Sequence, residues 1–176
     1  MHVPTFRLKH WLAPAAQWIA VLLLVSNALL WSLPDGQAIV VKNLATLTLE
    51  TIQTTPFALW MGWGISTLHL CIMTWGIWAM AGLFRLLAQA EYFHPQVARQ
   101  LRRFGLALLV FGATNPLVRL LVVLSVTFEN PAGHKAIAIS LVMNDVLVVL
   151  IGMLMVMLAH ALQEAAVIAD DNRQIV

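Results

Sequence analysis

The apolar residues of this 176-residue chain fall into four long runs, separated by shorter polar segments. The runs cover residues 11–33, 57–84, 104–128 and 136–160. Each contains at least the roughly 20 residues that an α-helix needs to cross the hydrocarbon core of a bilayer. The pattern therefore predicts an all-α integral membrane protein, a four-transmembrane-helix bundle that forms a single membrane domain over residues 1–176.

The segments outside the runs also carry helical patterns. Residues 34–56 begin with Pro-Asp-Gly, a helix-entry signal, and continue with apolar residues at helical spacing. We expect an amphipathic helix on the outer leaflet here, although a strand or a lid over the bundle fits the same residues. Residues 161–176 continue the pattern of the fourth run, which predicts a helical extension into the cytosol.

Composition agrees with a membrane protein and excludes several other classes. Hydrophobic residues make up 61% of the chain and charged residues only 10%, too few to cover a soluble domain of this size. The single cysteine, Cys71, excludes a disulfide framework and a Cys-x-x-Cys metal or redox motif. A net charge of +2, spread along the chain, gives no reason to expect direct nucleic-acid binding.

Lysine and arginine predict the orientation, because short loops rich in these residues stay in the cytoplasm. Seven basic residues precede the first run, lie between runs two and three, or follow run four, whereas only Lys42 and Lys135 lie in the other two connections. We therefore expect both termini and the middle loop on the cytoplasmic side of the membrane.

The first run reads as an uncleaved anchor and not as a signal peptide, because its apolar stretch is longer than a signal core. Trp11 and Trp31 lie 20 residues apart, about 30 Å along a helix. That distance predicts that the two indoles lie in the two interfacial aromatic belts.

Arg119 and Asp145 are the only formal charges inside the four runs. The hairpin between runs three and four has its midpoint near Ala132, and each charge lies 13 residues from that midpoint. In antiparallel helices equal separations give equal depth, so the two side chains are expected to face each other. An unpaired charge near mid-bilayer costs about 2.5–3.5 kcal/mol on insertion scales, which favours an ion pair.

Further polar residues are expected to join this pair in the outer half of the membrane, because lipid cannot satisfy them. One interpretation is a buried, hydrogen-bonded cluster that fixes the register of the helices. The other is a hydrated pocket for an ion, a proton or a small anion, as intramembrane ionisable groups often provide. The predicted intramembrane cluster consists of Asn27, Ser66, His69, Asn115, Arg119, Asn144 and Asp145, with Ser26 and Ser140 nearby.

A cytosolic face is predicted at the opposite side. Arg99, Arg102 and Arg103 follow a helix start at His94-Pro95 and share one helix face. These arginines suit anionic lipid headgroups or an acidic protein partner. We expect the apolar end of the tail to pack near aromatic residues of the inner loop, so the predicted interaction face adds Tyr92, Phe93, Asp170, Asp171, Ile175 and Val176.

No catalytic, metal-binding or cofactor-binding residues are predicted. His69 and His160 differ by about 18 Å in depth along their helices, too far apart for a bis-histidine haem. Met153, Met155 and Met157 spread around a helix and suit apolar packing better than copper. The signatures of zinc proteases, P-loop enzymes and serine hydrolases are absent from the sequence.

Several short motifs resemble a known family. They are the inner-loop residues 83–93 and 101–105, the outer turn Glu-Asn-Pro-Ala-Gly at 129–133, and the terminal residues 161–166 and 171–176. Together they resemble the bacterial domain-of-unknown-function family DUF2975 over nearly the whole chain. The resemblance implies a four-span membrane protein without an established activity. Some members are thought to be encoded beside a small Xre-type helix-turn-helix regulator, which would imply a role in holding that regulator at the membrane.

The sequence thus predicts a regulatory or interaction protein of the inner membrane that presents its inner loop and tail to a cytosolic partner. The alternative is a small transporter, or a ligand or ion sensor, that uses the Arg119/Asp145 cluster. The four runs are expected to contact lipid, and the sequence does not decide whether the protein forms a homo-oligomer.

Overall fold

The computed structural model describes residues 5–45, 55–89, 94–130 and 141–174. This part of the chain is helical, without a strand. Its five helices are α1 (Thr5–Ser32), α2 (Pro34–Ala45), α3 (Pro56–Ala88), α4 (Pro95–Thr127) and α5 (Met143–Gln174). The predicted helix start at His94-Pro95 is confirmed, since His94 caps α4 by accepting a hydrogen bond from the Gln96 N–H.

Four of the helices are long and apolar enough to cross a membrane, which confirms the predicted multi-pass class. Their candidate spans have mean hydropathies between 1.6 and 2.4 and cover Trp11–Ser32, Pro56–Ala88, Pro95–Thr127 and Met143–Ile168. Helices α1 and α3 extend beyond the predicted runs at one end, since α1 begins at Thr5 and α3 ends at Ala88. The predicted helical continuation of the fourth run is confirmed as far as Gln174.

The long helices pack antiparallel in the order α1–α3–α4–α5, and backbone contact joins only neighbours in this order. The short helix α2 contacts α1 and α4. We call the end of the bundle that contains α2, the end of α4 and the start of α5 the α2 end. The opposite end, with the start of α1, the end of α3, the start of α4 and the end of α5, is the terminal end.

Helices α4 and α5 approach closely because small residues lie between them. Gly105 and Gly112 on α4, and Gly152 and Ala159 on α5, each recur at a spacing of seven, and all four are buried. A Cβ atom at Gly152 would lie 2.7 Å from the Leu109 backbone nitrogen and 2.9 Å from the Gly105 carbonyl oxygen. Small residues of this kind let membrane helices pack backbone to backbone, and the seven-residue spacing keeps them on one seam.

Trp31 corrects the aromatic-belt prediction for α1. Trp11 is 73% exposed as expected for a residue at an interface, but Trp31 is only 5% exposed. The Trp31 ring packs on Gly62 of α3 and joins a buried cluster with Val122, Val123 and Val126 of α4, to which Val40 of α2 also belongs. Burial of this large ring against a glycine therefore holds α1, α2, α3 and α4 together at the α2 end.

The start of α5 also differs from the prediction. The fourth run was expected to be helical from residue 136, but Leu141 and Val142 are not helical and α5 begins at Met143. Residues 131–140, including the predicted turn, lie outside the described residues. Asp145 therefore occupies the first turn of its helix instead of a position well inside it.

Candidate functional site

The predicted pairing of Arg119 and Asp145 is confirmed. The guanidinium meets the carboxylate through two parallel hydrogen bonds, from Nη1 to Oδ2 at 2.7 Å and from Nη2 to Oδ1 at 2.8 Å. The Arg119 side chain is 11% exposed and that of Asp145 is 2% exposed. A two-pronged contact of this kind fixes the orientation of both groups and is stronger than a single charge-assisted bond.

Two further donors complete the surroundings of the Asp145 carboxylate. The Asn115 side-chain Nδ2 donates to Oδ1 at 2.7 Å, and the Val142 backbone N–H donates to Oδ2 at 3.1 Å. Because Asp145 is the third residue of α5, its bond to Val142 satisfies a backbone N–H at the helix start. A negative charge in a first turn is also favoured by the helix dipole.

Each carboxylate oxygen of Asp145 thus accepts two hydrogen bonds, which is the full capacity of an ionised carboxylate. No lone pair is left for a metal ion or a substrate unless one of the four donors is displaced. Among the residues that the structure describes, no group of three or more histidine, cysteine, aspartate or glutamate side chains is placed to hold a metal ion. The geometry is that of a buried structural pair, which supports the first of the two interpretations of the cluster.

A separate polar group joins α1 to α3. The Asn27 side chain donates from Nδ2 to Thr67 Oγ1 at 2.9 Å, and its Oδ1 accepts a hydrogen bond from Ser66 Oγ at 3.3 Å. Asn27 and Ser66 are both buried. Their contacts satisfy polar groups that lipid would leave unpaired, and they fix the register of the two helices.

His69 lies between these two polar groups. Its Nδ1 is 3.4 Å from Thr114 Oγ1 of α4, next to Asn115, and its ring stacks on Phe111 with centroids 4.2 Å apart. Its Nε2 is buried and has no hydrogen-bond partner among the described residues. The polar residues therefore follow one another across the bundle from α1 through α3 and α4 to α5.

Two predicted members do not belong to this arrangement. Asn144 is exposed, and no described hydrogen bond joins it to the Arg119/Asp145 pair. Ser26 is exposed as well, and its hydroxyl donates to the Leu23 carbonyl of its own helix, a local bond that satisfies a hydroxyl facing lipid. Ser140 lies outside the described residues.

The predicted arginine face lies at the terminal end of α4. Arg99, Arg102 and Arg103 are exposed, whereas Val97 and Leu101 on the opposite side of the same turns are buried. No carboxylate among the described side chains lies within 4.0 Å of these three guanidinium groups. We call these three residues the arginine face.

Most of the other residues predicted for this interaction face cannot be placed. Tyr92, Phe93, Ile175 and Val176 lie outside the described residues, and the side chain of Asp171 is not described either. Asp170 is described and exposed. The contact between the tail and the inner loop therefore stays a prediction.

Several contributors to the site were absent from the predicted set. Thr67 and Thr114 are the α3 and α4 partners of Asn27 and His69, and threonine in an apolar run was an available signal for them. The Val142 N–H is a backbone donor, which no residue type reveals. The seven-residue recurrence of Gly105, Gly112 and Arg119 on α4 could have shown which face meets α5.

Comparison with known proteins identifies the family of the chain. No curated protein and no solved structure matches it. The family described as protein of unknown function (DUF2975) matches residues 40–176, which include α3, α4, α5 and nearly all of the site. The chain belongs to this family of unknown function.

Proposed function

We propose that this protein is an interaction or regulatory protein of the bacterial inner membrane, and that its terminal end binds a cytosolic protein. The observation that carries the proposal is the arginine face, three exposed arginines without a described carboxylate partner. An exposed cluster of one sign that is not neutralised within the protein attracts a partner of opposite charge. The partner surface is therefore acidic.

Helix length favours a face that stands clear of the hydrocarbon. Helices α3 and α4 contain 33 residues each and α5 contains 32, so each is about 48–50 Å long. The hydrocarbon core is only about 30 Å thick. About 20 Å of each helix therefore extends beyond it.

The protruding ends form a packed unit. Leu83 of α3, Val97 and Leu101 of α4, and Ala159 of α5 make one buried cluster at the terminal end. A face on a packed three-helix end is held in a fixed geometry, which lowers the entropy cost of binding a partner. Exposed Glu164 and Asp170 on α5 add acidic groups at this end, so the surface as a whole carries both signs of charge.

Orientation is the second element of the proposal. Arg85, the arginine face and the basic residues of both termini belong to the terminal end, whereas Lys42 belongs to α2. Under the positive-inside rule the terminal end faces the cytoplasm and α2 faces the periplasm. A cytosolic regulator of the Xre type, as the family resemblance implies, would then reach the arginine face directly.

The rival proposal, a transporter or a ligand or ion sensor at Arg119 and Asp145, receives less support. The carboxylate that would bind the ion or substrate already accepts four hydrogen bonds. A transported species would have to break a two-pronged buried ion pair, at a cost of several kcal/mol.

Photo-crosslinking in cells tests the proposed function. A photoreactive amino acid at Arg102 should give protein adducts, and the same amino acid at Leu117, an exposed apolar position on α4, serves as the lipid-facing control. Adducts at position 102 should disappear when Arg99 and Arg103 are both changed to glutamate. Lipid adducts alone at position 102 would mean that the arginines only anchor the helix to anionic headgroups, and would contradict the proposal.

A further inference from the structure

A cavity of about 370 Å³ lies at the α2 end, between the end of α1, α2 and the start of α3. It exists because α2 packs on α1 and α4 but makes no backbone contact with α3. The corner between α1 and α2 is held by a hydrogen bond from the Gln37 backbone N–H to the Leu33 carbonyl and by another from Gln37 Nε2 to the Trp31 carbonyl. These two hydrogen bonds fix the corner between α1 and α2 beside the cavity.

Three indole rings line the cavity, those of Trp31, Trp60 and Trp63. Trp60 and Trp63 pack edge to face with ring centroids 5.5 Å apart, while Trp31 is fixed by its burial against α4. Trp60 is 68% exposed and lies at the rim. Concave, mostly apolar sites of about 300–1,000 Å³ with a few polar groups are typical of small-molecule binding sites.

The polar groups of the lining define the ligand further. Ser32 Oγ donates to the Ala28 carbonyl and keeps acceptor capacity. Gln37 Oε1 accepts no hydrogen bond from a described residue, although its Nε2 is engaged. The cavity therefore offers acceptors to a ligand that carries a hydroxyl donor.

The lining also disfavours charged ligands. None of the eight lining residues carries a charge, so an anion would lose its hydration without gaining a counter-charge, and a cation would gain only the attraction of the indole faces. An acyl chain would fill the volume but would donate no hydrogen bond to Gln37 Oε1. Aromatic rings instead gain edge-to-face or stacked contacts with the indoles, worth about 0.5–1.5 kcal/mol beyond burial.

We propose that this cavity binds a small neutral aromatic molecule that carries a hydroxyl group. The observations that carry the proposal are the volume, the three tryptophans, the uncharged lining and the free acceptors. The site lies at the end of the bundle opposite to the arginine face and does not depend on the function proposed above.

Photolabelling of the purified full-length protein in lipid nanodiscs tests the proposal. The probe is a trifluoromethyl-diazirine derivative of benzyl alcohol, and the labelled residues are identified by mass spectrometry. We expect saturable labelling of residues 59–63, with unlabelled naphthyl methanol as competitor reducing it by at least about tenfold at a large excess. Partitioning of the probe into lipid would instead give labelling that rises linearly and resists competition.

Two phenylalanine variants make the test specific. Ala28→Phe places a ring in the cavity, because Ala28 belongs to its lining, and should abolish the saturable labelling. Leu29→Phe is the matched control, since Leu29 is 55% exposed and does not line the cavity, and it should label like the unchanged protein. Linear labelling in the unchanged protein, or equal saturable labelling in both variants, would overturn the proposal.

Discussion

Replacing Arg119 and Asp145 singly and together distinguishes a structural ion pair from two independent charges. Arg119→Met removes both guanidinium bonds and leaves a carboxylate that is 2% exposed with only the Asn115 and Val142 donors. Asp145→Leu leaves a guanidinium inside an apolar run without its two-pronged acceptor. The double variant has neither charge, so it avoids the uncompensated desolvation that each single change creates.

The structure sets the expected magnitudes. Removing one partner of a buried pair costs about 3–5 kcal/mol, so two independent losses would add to about 6–10 kcal/mol. In the double variant the charges are gone, and the remaining cost comes from Asn115 Nδ2 and the Val142 N–H, which lose their acceptor at about 1–3 kcal/mol each. With mid-range values for each term, the two single losses together should therefore exceed the double loss by about 4 kcal/mol.

The assay is the free energy of unfolding in one mixed-detergent titration for all variants. Asn144→Leu is the control, because Asn144 is the exposed neighbour of Asp145 in the same turn, and its effect should stay within about 0.5 kcal/mol. Losses that add within experimental error, or a double variant less stable than either single variant, would refute the structural reading of the pair.

Two further outcomes are expected elsewhere in the chain. Gly152→Ala should lower the free energy of unfolding by about 1–3 kcal/mol, because its Cβ would meet backbone atoms of α4 at 2.7–3.0 Å. Gly64→Ala is the matched control, since nothing lies within 4 Å of the new Cβ. Equal stability of the two variants in a thermal assay would contradict the close packing. Topology reporters fused after Lys42 and Ala132 should report a periplasmic location and one fused after Gln96 a cytoplasmic location, and the reverse pattern would invalidate the proposed orientation.

The class of the fold and its central ion pair were readable from the sequence because both depend on composition and long periodicities. Four runs of at least about 20 apolar residues have few alternatives to membrane helices. Arg119 and Asp145 needed a partner in a medium without water, and the hairpin offered only one. Both predictions rest on free-energy differences of several kcal/mol, which the conformational preferences of single residues do not overcome.

Details that depend on exact element ends were less predictable. The start of α5 at Met143 is fixed by the bond between Asp145 and Val142, and an apolar run alone gives no signal for it. Trp11 and Trp31 both lie at the ends of the same apolar run, so the sequence does not distinguish them. Only Trp31 packs on a glycine of another helix, Gly62, which leaves room to bury its ring. Contacts between distant segments decided both cases, and a single sequence does not show which segments meet.

The central claim is that the intramembrane pair maintains the fold while the arginine face binds the partner. One crosslinking experiment on two variants tests this claim most directly. The photoreactive amino acid is placed at Gln96, an exposed position in the first turn of α4, and adducts are measured for two folded variants in cells. The variant with Arg119→Met and Asp145→Leu should keep the partner adduct. The variant with Arg99, Arg102 and Arg103 changed to glutamate should lose it. The opposite result, an adduct lost without the intramembrane pair but kept without the arginine face, would contradict the account.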